Sequence, residues 1–205
     1  MVSTSKILSV KRLRFGTDGK GIRTLVGFMG CPLRCKYCLN PTSWNGTVKS
    51  RAYDPKMLLD KVRVDNLYFL SSGGGITFGG GEPLLYSDFI YEFIKIAPSG
   101  WTFNIETSLH VDFESVERIV PFIDLFIVDI KSTDENIYNK YTGGDFSLVK
   151  SNLKRLLDMV GSEKILVRVP LIKDFTTTDD AKKSIKLLKE MGITKIDAFE
   201  YVTQF

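Results

Sequence analysis

Cys31-Pro-Leu-Arg-Cys35-Lys-Tyr-Cys38 follows directly on the apolar run from Ile22 to Met29, and the reading of the chain starts at this junction of strand and thiols. The three cysteines are the only ones in 205 residues. Thiolates so close in sequence repel one another as anions, so the cluster signals a disulfide or a shared metal centre. Three thiols cannot all pair as disulfides. They can hold three corners of an iron–sulfur cube, because cysteine thiolates are the usual cluster ligands. An open fourth corner leaves an iron that binds a further ligand, which suits a reactive centre better than a passive electron carrier. Structural zinc is the plain alternative, with the sole histidine, His110, completing a Cys3His site. Zinc sites usually draw on two close ligand pairs, and the sequence has no second pair.

Outward from the cysteines, the chain alternates between short apolar runs and amphipathic stretches. Upstream, Lys6 to Phe15 reads as an edge strand and Phe15 to Ile22 as a glycine-punctuated loop. Downstream, Asp54-Pro55 starts a helix with a capping Asp and a Pro at the first helical position. Gly75 to Phe78 is a strand that ends in Gly79-Gly80-Gly81-Glu82-Pro83, and Phe89, Ile90, Phe93, Ile94 and Ala97 recur at helical spacing. Trp101 to Ile105 is the next strand, ending at Glu106-Thr107. Val116, Ile119 and Val120 mark a helix stopped by Pro121. Leu125 to Ile130 is a strand carrying Asp129, with Lys131 just after it. Asp134 to Tyr141 and Val149 to Val160 read as helices, Ile165 to Val169 as a strand carrying Arg168, Ile185 to Met191 as a helix, and Ile193 to Tyr201 as a last strand.

Continuous apolar strands separated by amphipathic helices predict a parallel sheet covered by helices. The chemically interesting residues fall at or just after strand ends, where barrel-type α/β folds build their active sites. Six such strands predict an open partial barrel. The length suits one substantial core, read as a single domain over 1–205. Apolar content of 43% and charged content of 25% describe a soluble globular protein. The net charge of +4 is too mild and too scattered to predict a nucleic-acid partner. The N-terminus lacks the apolar run of a secretory signal, and no stretch approaches the roughly 20 apolar residues of a membrane helix. A cytoplasmic protein with reduced thiols and no membrane association is the expectation.

Each candidate has a plain reading beside its chemical one. The glycines at 79–81 serve a tight turn, or they bring backbone carbonyls and N–H groups close to a polar small molecule. Glu106, Asp129 and Lys131 are surface charges, or they converge; Asp129 closes the run Leu125 to Val128, where a charge needs a partner. Arg168, flanked by Val167 and Val169, points to one face of its strand and serves a salt bridge or a ligand. Tyr37 packs, or places its ring and carbonyl beside a ligand on the open iron. His110 reads as non-catalytic.

The cysteine spacing, with Tyr37 before the last thiol, resembles the radical S-adenosylmethionine superfamily. The flanks Phe15-Gly-Thr-Asp-Gly-Lys-Gly-Ile-Arg23, Gly30 to Pro41, Ile76-Thr-Phe-Gly-Gly-Gly-Glu-Pro-Leu84, Glu106-Thr-Ser108 and Asp129-Ile-Lys131 resemble the glycyl-radical-enzyme activating enzymes. The resemblance implies a partial (β/α)6 TIM-like barrel and one 4Fe–4S cluster on Cys31, Cys35 and Cys38. It implies S-adenosylmethionine chelated at the fourth iron. Gly80, Gly81 and Glu82 would line its amino group, Tyr37 would lie by the adenine, and Leu39 is a further cofactor-binding position. Asp129, Lys131 and Arg168 would contact the ribose and carboxylate region. Glu106, Thr107 and Asp129 would line a monovalent-cation site. The implied reaction is reductive cleavage of S-adenosylmethionine to a 5′-deoxyadenosyl radical, which abstracts hydrogen from a backbone glycine of a partner glycyl radical enzyme. Flavodoxin or ferredoxin is the implied electron donor, and the protein is expected to be a monomer.

The chain departs from that pattern in several places. Its N-terminal loop reads Asp18-Gly-Lys-Gly21, where the family carries an extra residue and a proline. Leu39 stands where a histidine is common, Gly79 where a serine is common and Leu109 where a glycine is common. Val202 stands where a Pro-Tyr-His pattern would place a cofactor-contacting histidine, and the sequence ends at Phe205 where relatives continue. No cysteine-rich ferredoxin-like insert separates Cys38 from Gly80. Alternative readings are an activase of the anaerobic ribonucleotide reductase, a radical enzyme acting on another peptide or small molecule, and a non-enzymatic zinc or electron-carrier module.

Overall fold

The computed structural model describes residues 4–45 and 50–201. Its residues pack as two units, Met1–Cys31, Asn40–Glu106 and Asp112–Leu125 in the first, and Pro32–Leu39, Thr107–Val111 and Phe126–Phe205 in the second. In the first unit, Ser5–Arg14 (β1) pairs antiparallel with Arg23–Phe28 (β2). After the short helix Thr42–Asn45 (α1), Arg51–Tyr53 (β3) pairs antiparallel with the start of β1. The predicted edge strand is therefore covered over Ser5–Ile7. The three residues that cover it are too few to show a period in sequence.

Pro55–Val62 (α2) begins as the sequence predicts. The Asp54 side chain accepts the Met57 N–H at 2.7 Å, Pro55 stands at the first turn, and Leu58 and Val62 are buried one turn apart. Asn66–Ser72 (α3) was not visible in the sequence pattern; only Phe69 of that helix is buried, so it presents no apolar stripe. Gly75–Gly80 (β4) runs parallel to β2, with Phe28 opposite Gly80. Ser87–Ile96 (α4) returns the chain over the sheet and buries Phe89, Ile90 and Phe93, the last edge-on to Phe78 at 5.8 Å. Thr102–Thr107 (β5) then pairs parallel to β4. Phe113–Glu117 (α5) stops four residues before Pro121, which lies inside a separate 3-10 turn over Val120–Phe122.

The second unit starts its sheet at Leu125–Asp129 (β6), whose Phe126, Ile127 and Val128 are buried. Glu135–Thr142 (α6) is capped by Asp134, which accepts from Asn136 and Ile137, and ends at Gly143 in the left-handed region. Phe146–Val160 (α7) buries Val149, Asn152, Leu153 and Leu156. Ile165–Leu171 (β7) pairs parallel to β6, with Asp129 opposite Arg168. Thr178–Glu190 (α8) opens with a reciprocal cap between Thr177 and Asp180, and Lys195–Glu200 (β8) closes the sheet parallel to β7. The strand order is β3-β1-β2-β4-β5 in the first unit and β6-β7-β8 in the second, with three strands running parallel in each, β2, β4 and β5 in the first and β6, β7 and β8 in the second. These are the six strands predicted, each within a few residues of its sequence bounds.

Candidate active site

In the first unit the ends of β2, β4 and β5 gather the glycine turn and Glu106. Gly80 has φ +94°, and a Cβ there would lie 2.6 Å from Gly27 Cα. At Gly81 it would meet the Gly30 carbonyl at 2.0 Å. Only glycine fits such a close approach of two strand ends. The Gly81 N–H donates to Phe28 O and the Glu82 N–H to Gly30 O, which ties this turn to the peptide before Cys31. Glu82 is buried, and its carboxylate accepts the Leu84 N–H at 3.2 Å. Glu106 Oε2 would lie 3.0 Å from a Cβ on Gly79, so a side chain at position 79 would crowd this carboxylate.

In the second unit the cysteine loop runs along the end of α6. Arg34 N–H donates to Thr142 O at 2.7 Å and Lys36 N–H to Tyr141 O at 3.0 Å. Cys38 N–H closes a turn onto Cys35 O at 3.2 Å. Asp129 and Lys131 form an ion pair at 3.2 Å, and Lys131 Nζ lies 5.5 Å from the centre of the Tyr201 ring. The Tyr201 hydroxyl donates to the Tyr37 carbonyl at 3.0 Å, between two of the thiols. The Tyr37 hydroxyl donates to Asp174 at 3.2 Å, and its ring meets Phe175 and Tyr141 edge-on.

Electrostatics link these groups. Burial pushes the Cys35 thiol up to about 11, with Lys131 pulling the other way. Burial opposes the charge on Lys131, yet Asp129, with Tyr201 and Cys35, outweighs it and holds the ammonium above its ordinary range. Burial also drives the Tyr141 phenol far upward, with Tyr201 and Cys35 adding to the shift. The Cys35 thiol thus faces a charged, hydrogen-bonded surround. Its proton must leave when a metal binds.

Arg168 shares a register position with Asp129, and the Ile130 N–H donates to its carbonyl at 2.9 Å. Thr107 is buried, and its hydroxyl accepts the Leu109 N–H at 2.9 Å. Leu109 itself has φ +56°, where glycine is at ease and a larger residue pays about 1–2 kcal/mol. Complete burial of its side chain offsets that strain. Leu39 is exposed. His110 Nε2 accepts the Asp145 N–H at 3.1 Å. Val202 lies outside the described residues. The sequence missed Asp174, Tyr141 and Tyr201. Only Tyr201 left a trace, in the terminal pattern that drew attention to position 202 instead.

The donor set fits an iron–sulfur cluster. Three thiols, none of them in a disulfide, are half-buried within eight residues, and a tight turn joins Cys35 to Cys38. Among the described residues no three His, Cys, Asp or Glu side chains converge as a ready metal site, so the fit rests on ligand type, spacing and this turn. A family model described as the Radical SAM superfamily matches residues 25–179. The chain belongs to the radical SAM superfamily. Among curated proteins, the pyruvate formate-lyase-activating enzyme of Clostridium pasteurianum is 31% identical to this radical SAM chain, over 91% of this chain and 78% of that protein. The trans-4-hydroxy-L-proline dehydratase activating enzyme of Clostridioides difficile is 28% identical, over 90% and 80%.

Among solved structures, Streptococcus suis SuiB bound to precursor peptide SuiA matches with a TM-score of 0.66 at 16% identity. That match covers 87% of this chain and 38% of SuiB, and it is a likeness of fold. The α/β fold class is therefore the radical SAM one, as the resemblance implied. The chain is a radical SAM enzyme homologous to glycyl-radical-enzyme activating enzymes, and its superfamily uses a 4Fe–4S cluster and S-adenosylmethionine. Among the described residues no helix is long and apolar enough to cross a membrane.

Proposed function

We propose that this chain activates a partner glycyl radical enzyme of the pyruvate formate-lyase kind. The observation that carries the reading is the junction of the Cys35–Cys38 turn with the Asp129–Lys131 pair, through Tyr201. Cys31, Cys35 and Cys38 would hold the cluster. When bound, cluster and S-adenosylmethionine supply a carbon radical that takes hydrogen from the partner's glycine. The chain's own residues bind, orient and shield. Gly80 and Gly81, stripped of Cβ atoms, with Glu82 beside them, would receive the amino group. Tyr37 would lie by the adenine, and Leu39 is a further proposed cofactor-binding position. Lys131, Asp129 and Arg168 would hold the ribose and carboxylate region.

Glu106, Thr107 and Asp129 are proposed to bind a monovalent cation. Residues 1–205 act as one domain in this reading, because the chain passes between its two packing units at 31–32, 39–40, 106–107, 111–112 and 125–126. A cytoplasmic monomer reduced by flavodoxin or ferredoxin completes the proposal.

Anaerobic reconstitution with iron and sulfide, then reduction with S-adenosylmethionine present, tests it. 5′-Deoxyadenosine should form, and Cys35→Ala should abolish it, because two thiolates do not hold the cube in place. A glycyl EPR doublet on the partner should accompany the product. A fully clustered sample that makes no 5′-deoxyadenosine would sink the reading, and a signal on a ribonucleotide reductase instead would redirect it.

A further inference from the structure

The turn between β7 and α8 carries a side chain it does not need for itself. Asp174 is exposed and has φ +65°, in the left-handed region where glycine sits without cost and a residue with a Cβ does not. The turn closes through its neighbours. The Ile172 N–H donates to Thr176 Oγ1 at 2.7 Å, and the Phe175 and Thr176 N–H groups return to the Ile172 carbonyl at 3.1 and 2.9 Å. Thr177 and Asp180 supply the cap of α8. Among the described residues, the one hydrogen bond to the Asp174 carboxylate comes from the Tyr37 hydroxyl at 3.2 Å, 137 positions away. A strained residue whose turn closes without its side chain points to a role at that distant partner.

Tyr37 is held at its other end as well. Its carbonyl accepts the Tyr201 hydroxyl at 3.0 Å. Its ring lies edge-on to Phe175 at 5.7 Å and to Tyr141 at 6.2 Å, and those two rings meet each other edge-on at 4.9 Å. Ring edges hold Tyr37 by packing, whereas the hydrogen bond at the tip of the ring is directional.

We propose that Asp174 is a positioning residue, which holds the Tyr37 ring in the pose that receives the nucleoside of S-adenosylmethionine. The inference rests on the radical SAM reading above, which sets Tyr37 by the adenine. Asp174 acts through Tyr37 alone. A ring fixed in advance gives up no rotamer freedom when the base arrives, so the bond strengthens cofactor binding and leaves the chemical step alone.

Three substitutions on the full-length chain separate the bond from the backbone strain. Asp174→Asn keeps an acceptor oxygen and tolerates the left-handed region. Asp174→Gly removes the acceptor and relieves the strain. Tyr37→Phe removes the hydroxyl and keeps the ring. Equilibrium dialysis of S-adenosylmethionine against the reconstituted, unreduced protein reads affinity with no turnover. The dissociation constant should rise about 5-fold in Asp174→Gly and in Tyr37→Phe, and stay within about twofold of wild type in Asp174→Asn. It should rise no further in the double variant Tyr37→Phe/Asp174→Gly. After reduction, the KM of Asp174→Gly should follow its dissociation constant, with kcat within about twofold. In the iron-free chain, Tyr37→Phe should lower the urea midpoint of wild type and leave that of Asp174→Gly unmoved.

An unchanged dissociation constant in Asp174→Gly would overturn the proposal. So would additive losses in the double variant by either measurement, or a fall in iron content that accounts for the lost affinity. A wild type that binds S-adenosylmethionine and forms no 5′-deoxyadenosine on reduction would refute the activation reading instead, and the dissociation constants would still decide the role of Asp174. A clustered wild type that binds no S-adenosylmethionine would refute both.

Discussion

Arg23 and Lys131 are both cations largely withdrawn from water, and they are held in different ways. Arg23 opens β2 and is 1% exposed. Its guanidinium donates to Thr77 Oγ1 at 2.6 Å, Thr102 Oγ1 at 2.8 Å and the carbonyls of Lys20, Ile76 and Thr102. All of these acceptors are neutral. Burial pushes its pKa down to about 10, against the pull of Asp124 and Asp18, and it stays charged at neutral pH. Thr77 and Asn104 in turn donate to the Asp18 carbonyl, so the glycine-punctuated loop is pinned to the strand starts. Lys131 follows the end of β6 and pairs with a carboxylate. Among the described residues its ammonium donates to one acceptor, Asp129. A cation at strand starts has spent its donors on holding the fold, whereas one past a strand end keeps hydrogens to offer a ligand. That is the division of labour expected of barrel-type α/β folds.

Breaking the first half of this comparison should have the largest effect. Arg23→Met leaves five acceptors without their donor, two of these bonds being buried, and urea unfolding should show a loss of about 3 kcal/mol. The KM for S-adenosylmethionine in the folded fraction should stay within about twofold. A weakened KM with stability intact would refute the structural role. Lys131→Met should do the reverse. The KM for S-adenosylmethionine should rise about 30-fold, from a lost charge-assisted contact, with unfolding shifted by no more than about 1 kcal/mol because Asp129 remains partly solvated. Equal stability losses in both variants would erase the distinction.

The smallest effect should come from Tyr201→Phe, which removes the hydroxyl from the Tyr37 carbonyl and keeps the ring beside Lys131. A roughly 5-fold rise in the same KM is expected, the worth of about one net hydrogen bond. Tyr201→Leu, which also removes the ring, should cost more. No change in either would show that Tyr201 merely packs.

The parts of the site that lie within one short stretch were legible in the sequence. Cys31, Cys35 and Cys38, the glycines at 80 and 81, and the Asp129–Lys131 spacing are all read from neighbours a few residues apart. What stayed hidden depends on distant partners. Tyr201 reaches Tyr37 across 164 positions, and Asp174 across 137. Arg23, a conventional loop-end arginine in sequence, finds its hydroxyl partners 54 and 79 positions away. The covering of β1 by β3 was missed for a different reason, since three residues carry no period.

By itself, the sequence determined the six parallel strands, their order along the chain, the thiol spacing and hence the chemistry that three soft ligands with an open corner support. Those properties are local: periodicity of two or 3.6 and the reach of a few peptide units decide them. Only the tertiary structure decided which charges face the thiols, which cation is consumed by the fold, and that a tyrosine near the end of the described chain holds the loop between Cys35 and Cys38. Those depend on strand register and on burial, which make a hydrogen bond between remote residues worth forming and costly to lose.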